Sequence, residues 1–345
     1  MSWLRPPGRI NFPPEKIIGT GPFRLAEYLV DRHLRLVRWE KYNPRPEPPD
    51  GLAGARVAYV DEILFIPVPE DSVRADGVLT GEYHAADSLH PDLFDRFAGS
   101  PAAQGLIVKP YYFYAAHFNK KQGPFTDLRL RQAVLLATDL EQVMVAGFGR
   151  KEFFRLGPEI AAPETPWYSS AGQEVYNKPD PARARQLLRE AGYDGRPIRW
   201  LTTKEYPYNY NMALSFKDQL EKVGFKVDLQ VMDWATLVRR RSDPNEYDVF
   251  ITNHATFLNP VRQVYLDASW PGWWVSERKD RVHRQLMAEF DLTKQKQLVE
   301  ELQRIQWEEL PNIKCGEAFG LIGLRKEVQN FANYPKWFFW NVWLG

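Results

Sequence analysis

Apolar and polar residues alternate singly over 23–39, on either side of Asp31-Arg32, which is the period-two pattern of two antiparallel strands joined by a turn. The proline-rich stretch 43–50 then ends the hairpin. The pattern next predicts a strand over 60–68, short helices over 71–79 and 91–97, and a long strand over 106–119. That last strand carries Tyr111, Tyr112, Phe113 and Tyr114. Period two places Tyr112 and Tyr114 on one face and Tyr111 and Phe113 on the other, so one pair can line a cleft while the other fills a core.

After Pro124-Phe125 the period changes. Thr126 or Asp127 can cap a helix whose apolar residues Leu130, Val134, Ala137 and Val143 recur at helical spacing. Asp180-Pro181 starts another helix, cap then first-turn proline, and Gly192 stops it. From 196 to 253 the kinds alternate: strand 198–202, helix 209–223, strand 225–231, helix 234–241 opened by Asp233, strand 247–252. This βαβαβ order predicts parallel strands joined by right-handed crossovers. One or two amphipathic helices follow over 280–309, with Leu286, Phe290, Leu298, Leu302 and Ile305 turned inward, and 313–324 is strand-like again. The aromatic tail 337–343 must dock on the body of the protein.

The 345 residues are 44% hydrophobic and 26% charged, enough for two domains with their own cores. Lys plus Arg number 45 against 44 Asp plus Glu, a net charge of +1 that offers no field to attract nucleic acid. The single Cys315 rules out a disulfide framework and a cysteine-built zinc site. No apolar run reaches the roughly 18 residues a membrane helix needs. The beginning of the chain shows no export signal, and Pro6, Pro7, Pro13 and Pro14 precede the first strand with no element to pair with it, an unusual start for a complete domain.

No catalytic motif is present in its structural context, and the six histidines are scattered; His84 and His90 fit no metal-ligand spacing. Gly19-Thr20-Gly21-Pro22 reads as a turn into a strand rather than a phosphate loop, because no helix follows it. In an open parallel sheet ligands sit beyond the carboxyl ends of the strands. The loop 253–262 is therefore the expected recognition segment, with Asn253, His254, Thr256 and Arg262 as polar groups and Phe257 as an apolar face. Trp270-Pro271-Gly272-Trp273-Trp274 is the second candidate, since two adjacent indoles point apart and one can face a cleft. The predicted ligand-binding set is thus Tyr112, Tyr114, Asn253, His254, Phe257, Arg262, Trp273 and Trp274, with no catalytic residue, metal or cofactor. A carbohydrate-active hydrolase using a carboxylate pair is the alternative, since tryptophans suit sugars.

Several ordered motifs resemble the extracellular solute-binding proteins of family 5, the peptide, nickel and opine receptors of ATP-driven importers. They are Gly19-Thr20-Gly21-Pro22-Phe23, the run 59–65 (YVDEILF), Phe118-Asn119 with 124–133 (PFTDLRLRQA), 182–192 (ARARQLLREAG), Tyr247-Asp248-Val249, and Trp270-Pro271-Gly272-Trp273-Trp274 with Phe339-Trp340-Asn341. The resemblance covers essentially the whole chain. It implies an α/β, periplasmic-binding-protein-like fold of type II, class C, with two lobes and mixed sheets. Residues 1–117 and 318–345 would form lobe I, incomplete because the chain corresponds to the C-terminal two-thirds of such a receptor, and 118–317 would form lobe II. Lobe I would then show an exposed, aggregation-prone face. The implied function is capture of a small solute between the lobes by a monomer, and delivery to the transmembrane permease subunits of an ABC importer, in the periplasm or outside the cell. Peptide-binding members hold the ligand's amine with an acidic residue in the loop after the Tyr247-Asp248 strand. Here 253–266 has no Asp or Glu and Asn259 stands where a carboxylate is common, so His254, Phe257 and Arg262 point to an aromatic, anionic or metal-chelate ligand.

Overall fold

The computed structural model describes residue 17 and residues 19–345 except Phe257; the proline-rich start with Pro6, Pro7, Pro13 and Pro14 lies outside the described residues. The chain divides into two compact units, one running to Val108 and resuming over Leu321–Gly345, the other Lys109–Gly320.

In the first unit, β1 (Phe23–Leu29), β2 (His33–Arg38) and β3 (Glu62–Phe65) form an antiparallel sheet. The turn between β1 and β2 places Asp31 at φ 59°, a left-handed conformation that Asp tolerates better than most residues. Helix α1 (Asp71–Thr80) leads to β4 (Ala85–Leu89), and the short helix expected over 91–97 is a 3₁₀ helix, Pro91–Phe97. His90 and its neighbouring proline favour this tighter start, the imidazole accepting from the Asp92 amide. Two long strands, β5 (Ala103–Phe118) and β10 (Asn312–Arg325), carry the chain between units. The end of β10 pairs antiparallel with β4 through Leu321, Gly323 and Leu324. The aromatic tail docks, as its composition requires: the Asn341 side chain accepts from Val57 N (2.9 Å) and donates to Ala55 O (2.9 Å), Phe339 packs edge-on against Phe65, and short β11 (Val328–Gln329) and β12 (Trp343–Leu344) pair.

The second unit holds α2 (Leu128–Ala137), α3 (Leu140–Phe148), β6 (Phe154–Arg155), α4 (Pro181–Glu190), β7 (Ile198–Thr202), α5 (Pro207–Glu221), β8 (Val227–Val231), α6 (Trp234–Arg240), β9 (Val249–Ala255), α7 (Glu277–Ala288) and α8 (Leu292–Glu309). Asp127, Asp180 and Asp233 each accept a first-turn amide hydrogen bond as N-caps of α2, α4 and α6. Strand order within the unit is β10-β5-β9-β7-β8, with β6 on β10. β7 runs parallel to both β8 and β9, while β5 runs antiparallel to β9, so the sheet is mixed.

The β5–β9 register divides the side chains between two faces. Phe113 and Ala115 pack with Val282, Leu286, Val299, Leu302 and Ile305 of α7 and α8. On the other face Phe118 meets Phe125, and Trp200 of β7 packs on Phe216 of α5 at 5.0 Å. Burying each such ring contributes about 2–3 kcal/mol. Asp248, fully buried, fixes where β9 begins: its carboxylate accepts from Arg199 N (2.8 Å), Arg199 Nε (3.1 Å) and Arg196 Nη2 (2.6 Å).

Phe290 departs from the inward position its spacing predicts. It is 94% exposed, in the link between α7 and α8. The Glu289 carboxylate accepts from the Phe290 and Asp291 amides and Asp291 caps α8 through Lys294 N, so local polar bonds end α7 and turn the ring outward.

Candidate functional site

Parallel β7, β8 and β9 put their carboxyl ends, Thr202, Val231 and Ala255, at one edge of the second unit. Antiparallel β5 brings Tyr112 opposite Ala255 and Tyr114 opposite Asn253 at the same edge. The loop after β7 and the start of α5 add Tyr206 and Tyr208. Tyr208 meets Tyr114 edge-on at 5.4 Å, stacks on Phe148 at 5.7 Å and on Tyr206 at 5.8 Å, and Tyr206 meets Trp234 edge-on at 5.2 Å. The result is an aromatic wall. Burial raises the Tyr114 phenol well above its ordinary range and pushes Tyr208 up to about 12, so both stay protonated and able to donate.

A buried carboxylate organises the neighbouring part of this edge. Glu317 Oε1 accepts from Thr256 Oγ1 (2.8 Å) and Tyr111 N (3.4 Å), while Oε2 accepts from Arg155 Nε (2.6 Å). The two terminal nitrogens of Arg155 donate in parallel to Glu164 at 2.8 and 2.6 Å. Partial burial works against the Arg155 charge, but its bonds to Glu164 and the proximity of Glu317 outweigh that and raise its pKa. Arg155 in turn holds Glu164 below the usual carboxylate range. Lys109 and Arg155 lie 4.5 and 5.5 Å from the Phe319 ring. No nucleophile meets a base among these groups; what they offer is shape, apolar faces and fixed hydrogen bonds.

Of the eight predicted residues, the edge gathers three: half-buried Tyr112, its ring 4.4 Å from Tyr111, buried Tyr114, and exposed Asn253. His254 lies one residue on and faces the opposite side of the sheet. It is buried against Phe113, Tyr265 and Trp270, with Nε2 2.8 Å from His117 Nε2. Burial, then the charge of Arg241, push it down to about 3, and burial with His254 as neighbour lowers His117 well below the ordinary imidazole value. The pair is therefore neutral and internal. Arg262 is exposed at the end of the 3₁₀ turn Pro260–Arg262, which Asn259 caps through Val261 N (3.0 Å). Phe257 lies outside the described residues.

Trp273 and Trp274 stand at the other end of the strands. Gly272 O accepts from Lys120 N at 3.2 Å, just past Phe118, and Phe118 pairs with Val249 at the start of β9. Six residues of strand, about 20 Å, separate that end from Ala255. Both indoles line a cavity of about 820 Å³ with Lys120, Lys121, Arg131 and Glu309.

Sequence reasoning missed Tyr206, Tyr208, Arg155 and Glu317. The first two follow the carboxyl end of β7, and the strand-end rule that selected 253–262 applies to them equally. Arg155 and Glu317 carried no comparable signal, because 162 residues separate them. Among the described residues no group of three or more His, Cys, Asp or Glu converges as metal ligands, and no helix is long and apolar enough to cross a membrane.

The profile of the bacterial extracellular solute-binding proteins, family 5 (middle), matches residues 6–276, and the chain belongs to that family. A probable peptide ABC transporter periplasmic-binding protein of Sinorhizobium fredii is 28% identical over 332 residues, covering 87% of this chain and 60% of the relative. Two solved structures share the fold. The dipeptide-binding protein of a Pseudoalteromonas species, in complex with Met-Leu, has a TM-score of 0.76 at 20% identity, covering 95% of this chain and 64% of that one. The periplasmic binding protein AgaA of A. tumefaciens, in complex with agropinic acid, has a TM-score of 0.74 at 20% identity, covering 94% and 67%. The periplasmic-binding-protein-like α/β fold implied by the motifs is thereby shown. The chain spans about three-fifths of the length of the curated relatives it matches.

Proposed function

We propose that this protein is the substrate-binding component of an ABC importer, which captures a small peptide-like, opine-like or metal-chelate solute and delivers it to a membrane permease outside the cytoplasm. The observation that carries this reading is the aromatic edge of the second unit, where Tyr112, Tyr114, Tyr206 and Tyr208 gather at the carboxyl ends of parallel strands beside exposed Asn253. That edge also contains Tyr111 and Glu317, on the two strands through which the chain passes to the other unit. A hinge in those strands, with lobe I formed by 1–117 and 318–345 and lobe II by 118–317, would let ligand contacts shift the protein toward a closed state. Family membership favours this over hydrolysis of carbohydrate.

At the edge, buried phenols donate to carbonyl or carboxylate oxygens, and the rings cover apolar side chains or a chelate's flat face. The Arg155–Glu164 pair makes both signs of charge available without a free acidic group in the 253–266 loop. Mass spectrometry of solute retained by the purified protein, followed by titration with a dipeptide, an opine and a nickel–histidine chelate, tests the assignment. Saturable binding that Asn253→Ala and Tyr112→Ala each weaken by about tenfold is expected, at roughly 1.4 kcal/mol per lost contact. No binding of any of the three, or release of sugar from a glycan, would overturn it.

A further inference from the structure

The cavity at the amino ends of the parallel strands lies wholly within the second unit and apart from the aromatic edge. Its volume, about 820 Å³, is that of a small-molecule site. Three basic side chains line it, and Asp127 and Glu309 lie near enough to Arg131 to favour its charge. Lys120 Nζ donates to two main-chain oxygens, Phe118 O and Pro311 O, each at 3.0 Å. Arg131, buried, gives its terminal nitrogens to Phe125 O (2.6 Å), Thr126 O (3.2 Å) and Glu309 O (2.9 Å), and its Nε is buried without a hydrogen-bond partner. Lys121 is exposed, with Nζ 5.6 Å from the centre of the half-buried Trp273 ring.

The one carboxylate in the lining, Glu309, is already engaged on both oxygens, accepting from Trp274 Nε1 (2.6 Å) and Ser276 Oγ (2.9 Å). Burial and the neighbouring Arg131 and Lys279 push the Lys120 amine well below its ordinary range, so the lining charge is that of Lys121 and Arg131 against Glu309, an excess of one positive charge. The carboxyl end of α8 offsets part of this, by about half a charge. A cation beside an indole in a partly enclosed space favours a ligand with one negative group and one flat apolar part.

We propose that this cavity is a second ligand site, which takes a small aromatic carboxylate with its anionic group toward Lys121 and its ring against Trp273. Thr126, Ser269 and Ser276 border the site, though their hydroxyls already donate within the protein, to Gly123 O, Asp267 and Glu309. Selection therefore falls on charge and ring.

Benzoate is the probe, with acetate and inorganic sulfate as comparators, titrated into the 345-residue chain by calorimetry and tryptophan fluorescence. Benzoate is expected to bind with one-site stoichiometry and to quench fluorescence, acetate and sulfate at least about tenfold more weakly. Lys121→Glu, an exposed change that leaves the fold intact, should weaken benzoate by about tenfold or more, and Trp273→Leu should abolish the fluorescence response. Binding unaffected by both substitutions, equal affinity for sulfate, or no benzoate binding overturns the proposal. Asn253→Ala serves as the control that separates the sites. It should leave benzoate binding unchanged whether or not the solute reading holds, and a loss there would place the anion at the other edge and overturn the second site.

Discussion

The contact between His117 and His254 sets a requirement on two protons. An N–H···N bond at 2.8 Å needs one ring nitrogen to donate and the other to accept, so the buried pair holds together as neutral imidazoles. Arg241 lies close enough to oppose protonation of either ring, and the surrounding groups, Phe250, Tyr265 and Trp270, offer no carboxylate to relieve it. Folded, His254 titrates at about 3 against 6.5 for the free side chain. The unfolded chain therefore binds more protons between those values, and stability is fully present above about pH 6.5 and is lost as pH falls toward 3. His254 contributes a slope of about 1.4 kcal/mol per pH unit in that window, and His117, lowered by burial, acts in the same direction. Urea midpoints measured from pH 7 to 4.5 should fall, and His254→Gln should remove much of the fall. A midpoint equally steep in the variant would mean that the pair is not the source.

Asp248 presents the converse case, a buried carboxylate held by two guanidiniums. Asp248→Asn leaves Arg196 and Arg199 facing a neutral amide. Because both guanidiniums reach solvent, the cost should be about 2 kcal/mol rather than the 3–5 of a fully enclosed pair. Thermal unfolding measures it, and an unchanged midpoint would show that main-chain pairing alone holds β9 against β7. The motif Tyr247-Asp248-Val249 was visible in the sequence, but its partners were not, since Arg196 and Arg199 meet it only after β7 and β9 pair.

At the level of elements, α7 and α8 show how far periodicity carries. Leu286, Leu302 and Ile305 follow helical spacing into the core, whereas Phe290 follows the same spacing and lies outside. The period is continuous, but the helix is not, because hydrogen bonds of Glu289 and Asp291 stop one helix and start the next. The βαβαβ order was legible for the opposite reason: each strand carries its own apolar run and α6 its own cap, Asp233, although α5 starts at Pro207 with no side-chain cap. Leu302→Ala should cost about 3 kcal/mol through the cavity it leaves, while Phe290→Ser should change stability by no more than about 0.5 kcal/mol. Chemical denaturation of the two variants distinguishes them. Equal losses would show that Phe290 is covered in solution.

Across the whole molecule, the strand-end rule located Asn253 and strand alternation located Tyr112 and Tyr114, which pair with the strand that carries it. It could not separate Asn253 from His254, since a one-residue step reverses the face, nor show that Trp273 and Trp274 lie at the opposite strand end. Least legible was Glu317, a fully buried carboxylate on β10 that binds Thr256 beyond β9, Tyr111 of β5 and Arg155 of β6 at once. Glu317 therefore ties together the segments beside both chain passages, and its loss should be felt there first. Glu317→Ala leaves Arg155 with Glu164 alone and Thr256 Oγ1 with only its longer bond to Tyr111 O (3.3 Å), at a cost of about 3 kcal/mol. Hydrogen exchange should accelerate in the amides of 109–112 and 317–320, with those of β7 and β8 close to wild type. Glu317→Gln keeps an acceptor for Thr256 and should show a smaller version of the same local change. If exchange instead rises evenly over the unit, Glu317 supports the fold as a whole and has no particular hold on the strands where the chain crosses.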